Sequence, residues 1–167
     1  MSRTPLITAV TAFAIGAAGL AAPSLSVAQG MHGHGHAVTA VADLKWVDLP
    51  SLPPGAKIAV LEGPMNEAVP FTARLRLPAN YVIPAHWHPA IERLTVLSGT
   101  FFIAAGEVLD RSKGLAVPAG GFTVMPARMP HFAYTTNEPT ELQLHSTGPW
   151  GVTYVNAADD PRKKPPQ

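Results

Sequence analysis

The chain has 167 residues, 47% hydrophobic and only 14% charged, with a formal net charge of +1. That length suits one domain after processing, and so slight a charge gives no electrostatic footprint for nucleic acid or an anionic membrane surface. Cysteine is absent, which excludes disulfides, thiolate metal sites, a thiol nucleophile and a lipid-modified cysteine.

Residues 1–28 read as a secretory signal. Arg3 supplies the positive end, Leu6 to Ala22 is an Ala-rich apolar run ended by Pro23, and Ser26-Val27-Ala28 places small residues before a cleavage point at Gln29. The apolar run is short for a permanent spanning helix, so no stable membrane anchor is expected. A single arginine, not a pair, fits export as an unfolded chain to the periplasm or beyond. Residues 29–43 form a flexible His/Gly-rich segment in which His32, His34 and His36 alternate with glycine. Such a tract either chelates a divalent ion without any fold or is a solvated tail.

A folded domain is expected over 44–157. Eighteen prolines and 14 glycines point to many short strands joined by turns. Strands are predicted at 45–47, 57–61, 71–77, 81–88, 93–97, 100–104, 115–117, 122–125, 131–135, 141–145 and 152–155. Turn formers such as Pro53-Pro54-Gly55, Ser98-Gly99 and Gly120-Gly121 separate them. Phe71, Ala73, Leu75 and Leu77 alternate with Thr72, Arg74 and Arg76, the period of a strand with one buried face. Residues 107–113 suit a loop or a short helical turn, and 158–167 a disordered tail.

The chemistry concentrates in Pro84-Ala85-His86-Trp87-His88 and the residues that follow. One residue separates His86 from His88, so an extended backbone aims both imidazoles to the same side. A bare pair of this kind reads as two exposed strand histidines. Glu92 four residues on, with His131 from a later strand, completes instead a set of nitrogen and oxygen donors for a first-row transition ion. Gln143 and His145 share one strand face: either they line a barrel mouth, where Gln143 orients substrate and His145 moves a proton, or they are an outward polar face opposite Leu142 and Leu144. Arg74 and Arg76 read as a solvated face, with a seat for a substrate carboxylate as the alternative. Tyr81, Trp87, Phe102, Phe132 and Tyr134 read as core or rim aromatics.

These segments resemble the paired motifs of the cupin superfamily. The first motif is Gly, five residues, His-x-His, three or four residues, Glu, six residues, Gly. It is matched by His86, His88, Glu92 and Gly99, with Asn80 in place of the leading Gly. The second is matched by Gly120, Pro126 and His131, with Arg128 in place of its second Gly and Thr135 in place of its final Asn. The resemblance implies an all-β double-stranded β-helix, or jelly roll, that holds one divalent ion (Mn, Fe, Cu, Ni or Zn) on His86, His88, Glu92 and His131. It also implies a small-molecule ligand or substrate at the remaining coordination positions, a homodimer, and a dioxygenase-, isomerase- or lyase-type reaction; Glu92 as a ligand and His145 as the proton-transfer candidate of the shared strand face are the residues expected to take part. A non-catalytic metal- or ligand-binding cupin is the alternative. Leu94, Val96, Phe102, Val124 and Leu144 are expected to make the surroundings of the site apolar.

Overall fold

The computed structural model describes residues 36–163. Residues 1–28, read above as a secretory signal, the His32 and His34 part of the histidine tract, and residues 164–167 lie outside the described residues. From Val38 onward the described residues form one compact unit.

All eleven expected strands form, several with ends shifted by a residue or two. They are β1 (Val47–Asp48), β2 (Lys57–Glu62), β3 (Pro70–Leu77), β4 (Val82–Trp87), β5 (Glu92–Ser98), β6 (Thr100–Ala105), β7 (Leu115–Pro118), β8 (Phe122–Met125), β9 (His131–Tyr134), β10 (Thr140–Thr147) and β11 (Thr153–Tyr154). They pair antiparallel in two sheets, ordered β1-β2-β3-β10-β5-β8 and β11-β4-β9-β6-β7. From β3 to β6 each successive strand crosses to the other sheet, and the same happens from β8 to β11. This crossing winds the chain into the jelly roll that the two motifs implied.

Alternation decides what the barrel encloses. Phe71, Ala73, Leu75 and Leu77 of β3 are buried, as are Leu94 and Val96 of β5 and Leu142 and Leu144 of β10. With Phe101, Ile103, Met125 and Ala133 they make one core between the sheets. Two side chains expected near the site face the other way. Val124 is 47% exposed, and Phe102 stacks on Tyr134, centroids 4.9 Å apart, in a separate cluster with Phe132, Ala85, Ala104 and Val82. A strand sends consecutive side chains to opposite faces, so the inward neighbours Phe101 and Met125 occupy the core instead.

That second cluster lies outside the five-stranded sheet and is covered by the 107–113 segment, which ends in a single 3-10 turn at Arg111–Lys113. Asp110 caps the turn by accepting from the Ser112 N–H at 3.0 Å. The Tyr134 hydroxyl donates to the Arg111 carbonyl at 3.0 Å, and the Arg111 guanidinium sits 4.5 Å above the Tyr134 ring.

The segment read as a disordered tail is ordered through Lys163. Asp160 is buried, and the Arg162 guanidinium donates to both Asp160 oxygens at 2.7 and 2.9 Å and to the Val152 carbonyl at 2.9 Å. Composition pointed to fraying because Arg162 and Lys163 are charged; an Asp two residues before the arginine supplies the partner. Among the described residues, no helix is long and apolar enough to cross a membrane.

Candidate metal centre

The register of the five-stranded sheet brings two motif histidines face to face. His86 near the end of β4 is the direct cross-strand partner of His131 at the start of β9. His88 lies one residue past β4, and the Arg128 N–H donates to its carbonyl at 2.8 Å, tying the first motif to the second. Glu92 opens β5 in the other sheet, opposite Met125 of β8. The four side chains thus come from both layers and meet inside the barrel, with exposures between 2% and 7%.

Two substituted motif positions keep the backbone that glycine would provide. Asn80 has φ 56° and Arg128 has φ 61°, both left-handed. Thr135, the third substitution, is wholly buried. Its hydroxyl accepts from the Tyr81 N–H at 2.9 Å and donates to the Pro78 carbonyl at 2.6 Å, so it stitches the strand that carries His131 to the turn that starts the His86 strand.

The tautomers follow from the partners of Nδ1. His86 Nδ1 lies 2.7 Å from the Pro84 carbonyl, His88 Nδ1 2.8 Å from the Gly151 carbonyl, and His131 Nδ1 2.9 Å from the Met129 carbonyl. A carbonyl only accepts, so each Nδ1 carries the proton and each neutral ring presents a lone pair at Nε2. Ligand atoms of the three rings lie within 4.8 Å of one another. The Glu92 carboxylate adds Oε1 at 3.4 Å from His88 Nε2 and Oε2 at 3.4 Å from His131 Nε2. His88 Nε2 is buried without a hydrogen-bond partner.

Converging lone pairs and a carboxylate repel one another unless a cation lies among them, which is the condition a divalent ion satisfies. Burial, with His131 and His88 adding to it, pulls His86 down to about 3, so this ring stays neutral and ready to ligate through the physiological range. Burial pushes the Glu92 carboxyl up, and only when the His131 and His88 rings carry a proton on Nε2 do their contacts pull it below the usual carboxylate range. Three imidazoles and one carboxylate, with no sulfur, form a set for a first-row transition ion.

Gln143 and His145 are not brought to this centre. Leu142 and Leu144 turn inward, so their neighbours on β10 face out from the six-stranded sheet. There Gln143 Nε2 lies 2.9 Å from His145 Nε2, and His145 Nδ1 lies 3.1 Å from the Thr72 hydroxyl. Arg74 and Arg76 share this outer face and pair with Glu141 at 3.4 and 3.0 Å. The roles given to Gln143 and His145 therefore fail on geometry: the sheet lies between them and the four donors.

The sequence matches the family described as ChrR Cupin-like domain over residues 34–151. The chain belongs to this cupin family. Solved cupins repeat the barrel of this one. The polyketide cyclase RemF from Streptomyces resistomycificus has a TM-score of 0.63 at 18% identity, over 77% of this chain and 92% of the cyclase. A protein described as a putative acetylacetone dioxygenase, from Methylibium petroleiphilum PM1, has a TM-score of 0.59 at 19% identity, over 78% and 88% of the two chains. The DMSP lyase DddQ from Ruegeria pomeroyi DSS-3 gives 0.52 at 19% identity, over 65% of this cupin and 58% of the lyase. Identities this low carry the fold alone. No curated protein matches the chain.

Two contributors to the centre went unread in the sequence. Trp150 stacks flat on the His88 ring, centroids 4.1 Å apart, and Gly151 supplies the carbonyl for its Nδ1. Nothing in the spacing of Gly148-Pro149-Trp150-Gly151 points to a histidine so far back in the chain. By contrast, the carbonyls that orient His86 and His131 lie two residues before each ring, a local relation the sequence does contain.

Proposed function

We propose that this cupin is an exported mononuclear metalloenzyme acting on a small oxygen-bearing molecule, with His86, His88, Glu92 and His131 as ligands of one divalent transition ion. The observation that carries the reading is the convergence of three Nε2 lone pairs and a carboxylate, one of those nitrogens being buried without a partner. Export rests on Arg3, the apolar run and Ser26-Val27-Ala28.

The protein's own groups do three things toward chemistry at this centre. The carbonyls of Pro84, Gly151 and Met129 fix the tautomers, so no reorganisation is needed on binding the ion. Glu92 supplies the one negative charge, leaving the loaded centre with net positive charge that favours an anionic or enolic oxygen donor. Met125 opposite Glu92 and the Tyr154 ring 5.9 Å from that of His86 join the centre to the apolar core, which suits small, partly apolar substrates better than sugars. When bound, the ion supplies Lewis-acid activation of that donor. The neighbours named above include a cyclase, a putative dioxygenase and a lyase, so the shared barrel does not select the reaction; a dioxygenase-like step is the version proposed.

One observation favours a second reading, a non-catalytic cupin that captures metal or a small ligand. Gln143 and His145 lie on the outer face, so the proton-transfer group expected beside the ligands is not one of them. Elemental analysis of protein purified from its native compartment separates the two. Stoichiometric iron or copper, with turnover of an oxygen-bearing substrate lost on chelation and in His131→Ala, supports the enzyme. A centre lacking metal in the native protein replaces it with capture, and activity that survives both Glu92→Gln and His131→Ala puts the chemistry outside this centre.

A further inference from the structure

The three histidines of the centre are not oriented alike. His86 and His131 donate to carbonyls two residues back, at 2.7 and 2.9 Å, so the backbone that carries each ring also aims it. His88 sits beyond the end of its strand and has no such local partner. Its Nδ1–H reaches the Gly151 carbonyl at 2.8 Å, 63 residues further along the chain. The adjoining Trp150 lies flat on the imidazole, centroids 4.1 Å apart and planes 18° from parallel.

The connection between β10 and β11 that supplies both contacts is itself held. The Trp150 N–H donates to the Met65 carbonyl at 2.7 Å and the Gly148 N–H to the Val69 carbonyl at 3.0 Å. The indole also packs edge-on against Phe71, centroids 5.6 Å apart.

We infer that Trp150 and Gly151 are the positioning pair of the metal centre: the indole fixes the plane of the His88 ring and the carbonyl fixes its tautomer, so the connection after β10 sets how well the centre holds its ion. The inference rests on the metal-centre reading above and assigns its control to a segment outside both cupin motifs. A stack restricts the ring to one plane and a carbonyl leaves one nitrogen as donor. Removing either contact lets the ring turn and costs its lone pair the aim toward the other donors. Partners that orient a ligating histidine in this way typically change metal affinity by about 10–100-fold when lost.

The test uses Trp150→Ala and Trp150→Phe, with Trp150→Leu standing in should the alanine variant not fold. Co2+ binding is followed by calorimetry and by the visible absorption of the loaded protein. The tautomers of the three histidines in the metal-free protein are read by long-range proton–nitrogen NMR. The inference expects Trp150→Ala or Trp150→Leu to weaken Co2+ binding by about tenfold or more and to shift the visible bands. His88 alone should lose its single tautomer while His86 and His131 keep theirs. Trp150→Phe, which retains a flat ring, should recover most of the affinity. Unchanged affinity and an unchanged His88 tautomer in the alanine or leucine variant overturn it, as does a change shared by all three rings, which would mean general loosening of the barrel. Should the unaltered protein bind no Co2+, the metal-centre reading fails, and the His88 tautomer still decides the positioning claim.

Discussion

Thr135→Val removes one oxygen and keeps the shape of a residue with no exposed surface. Two hydrogen bonds disappear with it: that from the Tyr81 N–H at 2.9 Å and that to the Pro78 carbonyl at 2.6 Å. The Tyr81 amide lies on a buried residue and loses a partner it cannot replace with water, which costs about 1–3 kcal/mol. The Pro78 carbonyl loses an ordinary bond, worth about 1 kcal/mol. The added methyl gains little, because the site is already closed. The expected destabilisation is about 3 kcal/mol, read from the urea midpoint at unchanged m-value. Since Thr135 joins the His131 strand to the start of the His86 strand, metal affinity should fall in the same variant. A loss under about 0.5 kcal/mol would mean that both backbone groups find other partners and that Thr135 is not the tie between the two segments.

Other outcomes follow from the same geometry. Metal-free protein should lose stability as pH falls, because His86 is held at about 3 when folded against 6.5 when unfolded and the unfolded chain therefore binds the extra proton. The contribution is complete above about 6.5 and has fallen by on the order of 3 kcal/mol at pH 4.5; thermal melting between pH 7 and 4.5 that shows no fall, or no smaller fall in His86→Phe, contradicts it. Arg128→Gly should stabilise by about 0.5 kcal/mol in urea unfolding, since relief of the left-handed φ outweighs the added freedom of the unfolded chain; a destabilised variant would show that the Arg128 side chain matters more than its backbone. Gln143→Ala and His145→Ala should each leave Co2+ affinity within error by calorimetry, because both side chains lie outside the six-stranded sheet. A loss of tenfold in either would mean that the outer face communicates with the centre.

The readable and unreadable parts of this protein divide along a physical line. Strand positions were legible because turn formers bracket short alternating runs, and Thr72, Arg74 and Arg76 set against Phe71, Ala73, Leu75 and Leu77 even gave the buried face of β3. The four donors were legible as a set because both motifs keep their spacing, and Asn80 and Arg128 adopt the glycine-like backbone that the spacing requires. Face assignment was harder where neighbours are similar. Phe101 and Phe102 are identical residues one position apart, and only the register with β9 sends one to the core and the other to the Tyr134 stack. On β10 the parity was present in Leu142 and Leu144, which already placed Gln143 and His145 opposite the core. Contacts between distant segments left no local trace. The Asp160–Arg162 pair over the Val152 carbonyl and the seat of His88 on Trp150 and Gly151 depend on how the strand ends meet in space.

The central claim is that one ion sits among His86, His88, Glu92 and His131. Anomalous diffraction from crystals of the protein loaded with a single transition metal tests it most directly. One dominant peak is expected inside the barrel, about 2.0–2.2 Å from the Nε2 atoms of the three histidines and from a Glu92 oxygen, and it should disappear in His131→Ala. A dominant peak elsewhere, or one that persists unchanged in that variant, would contradict it.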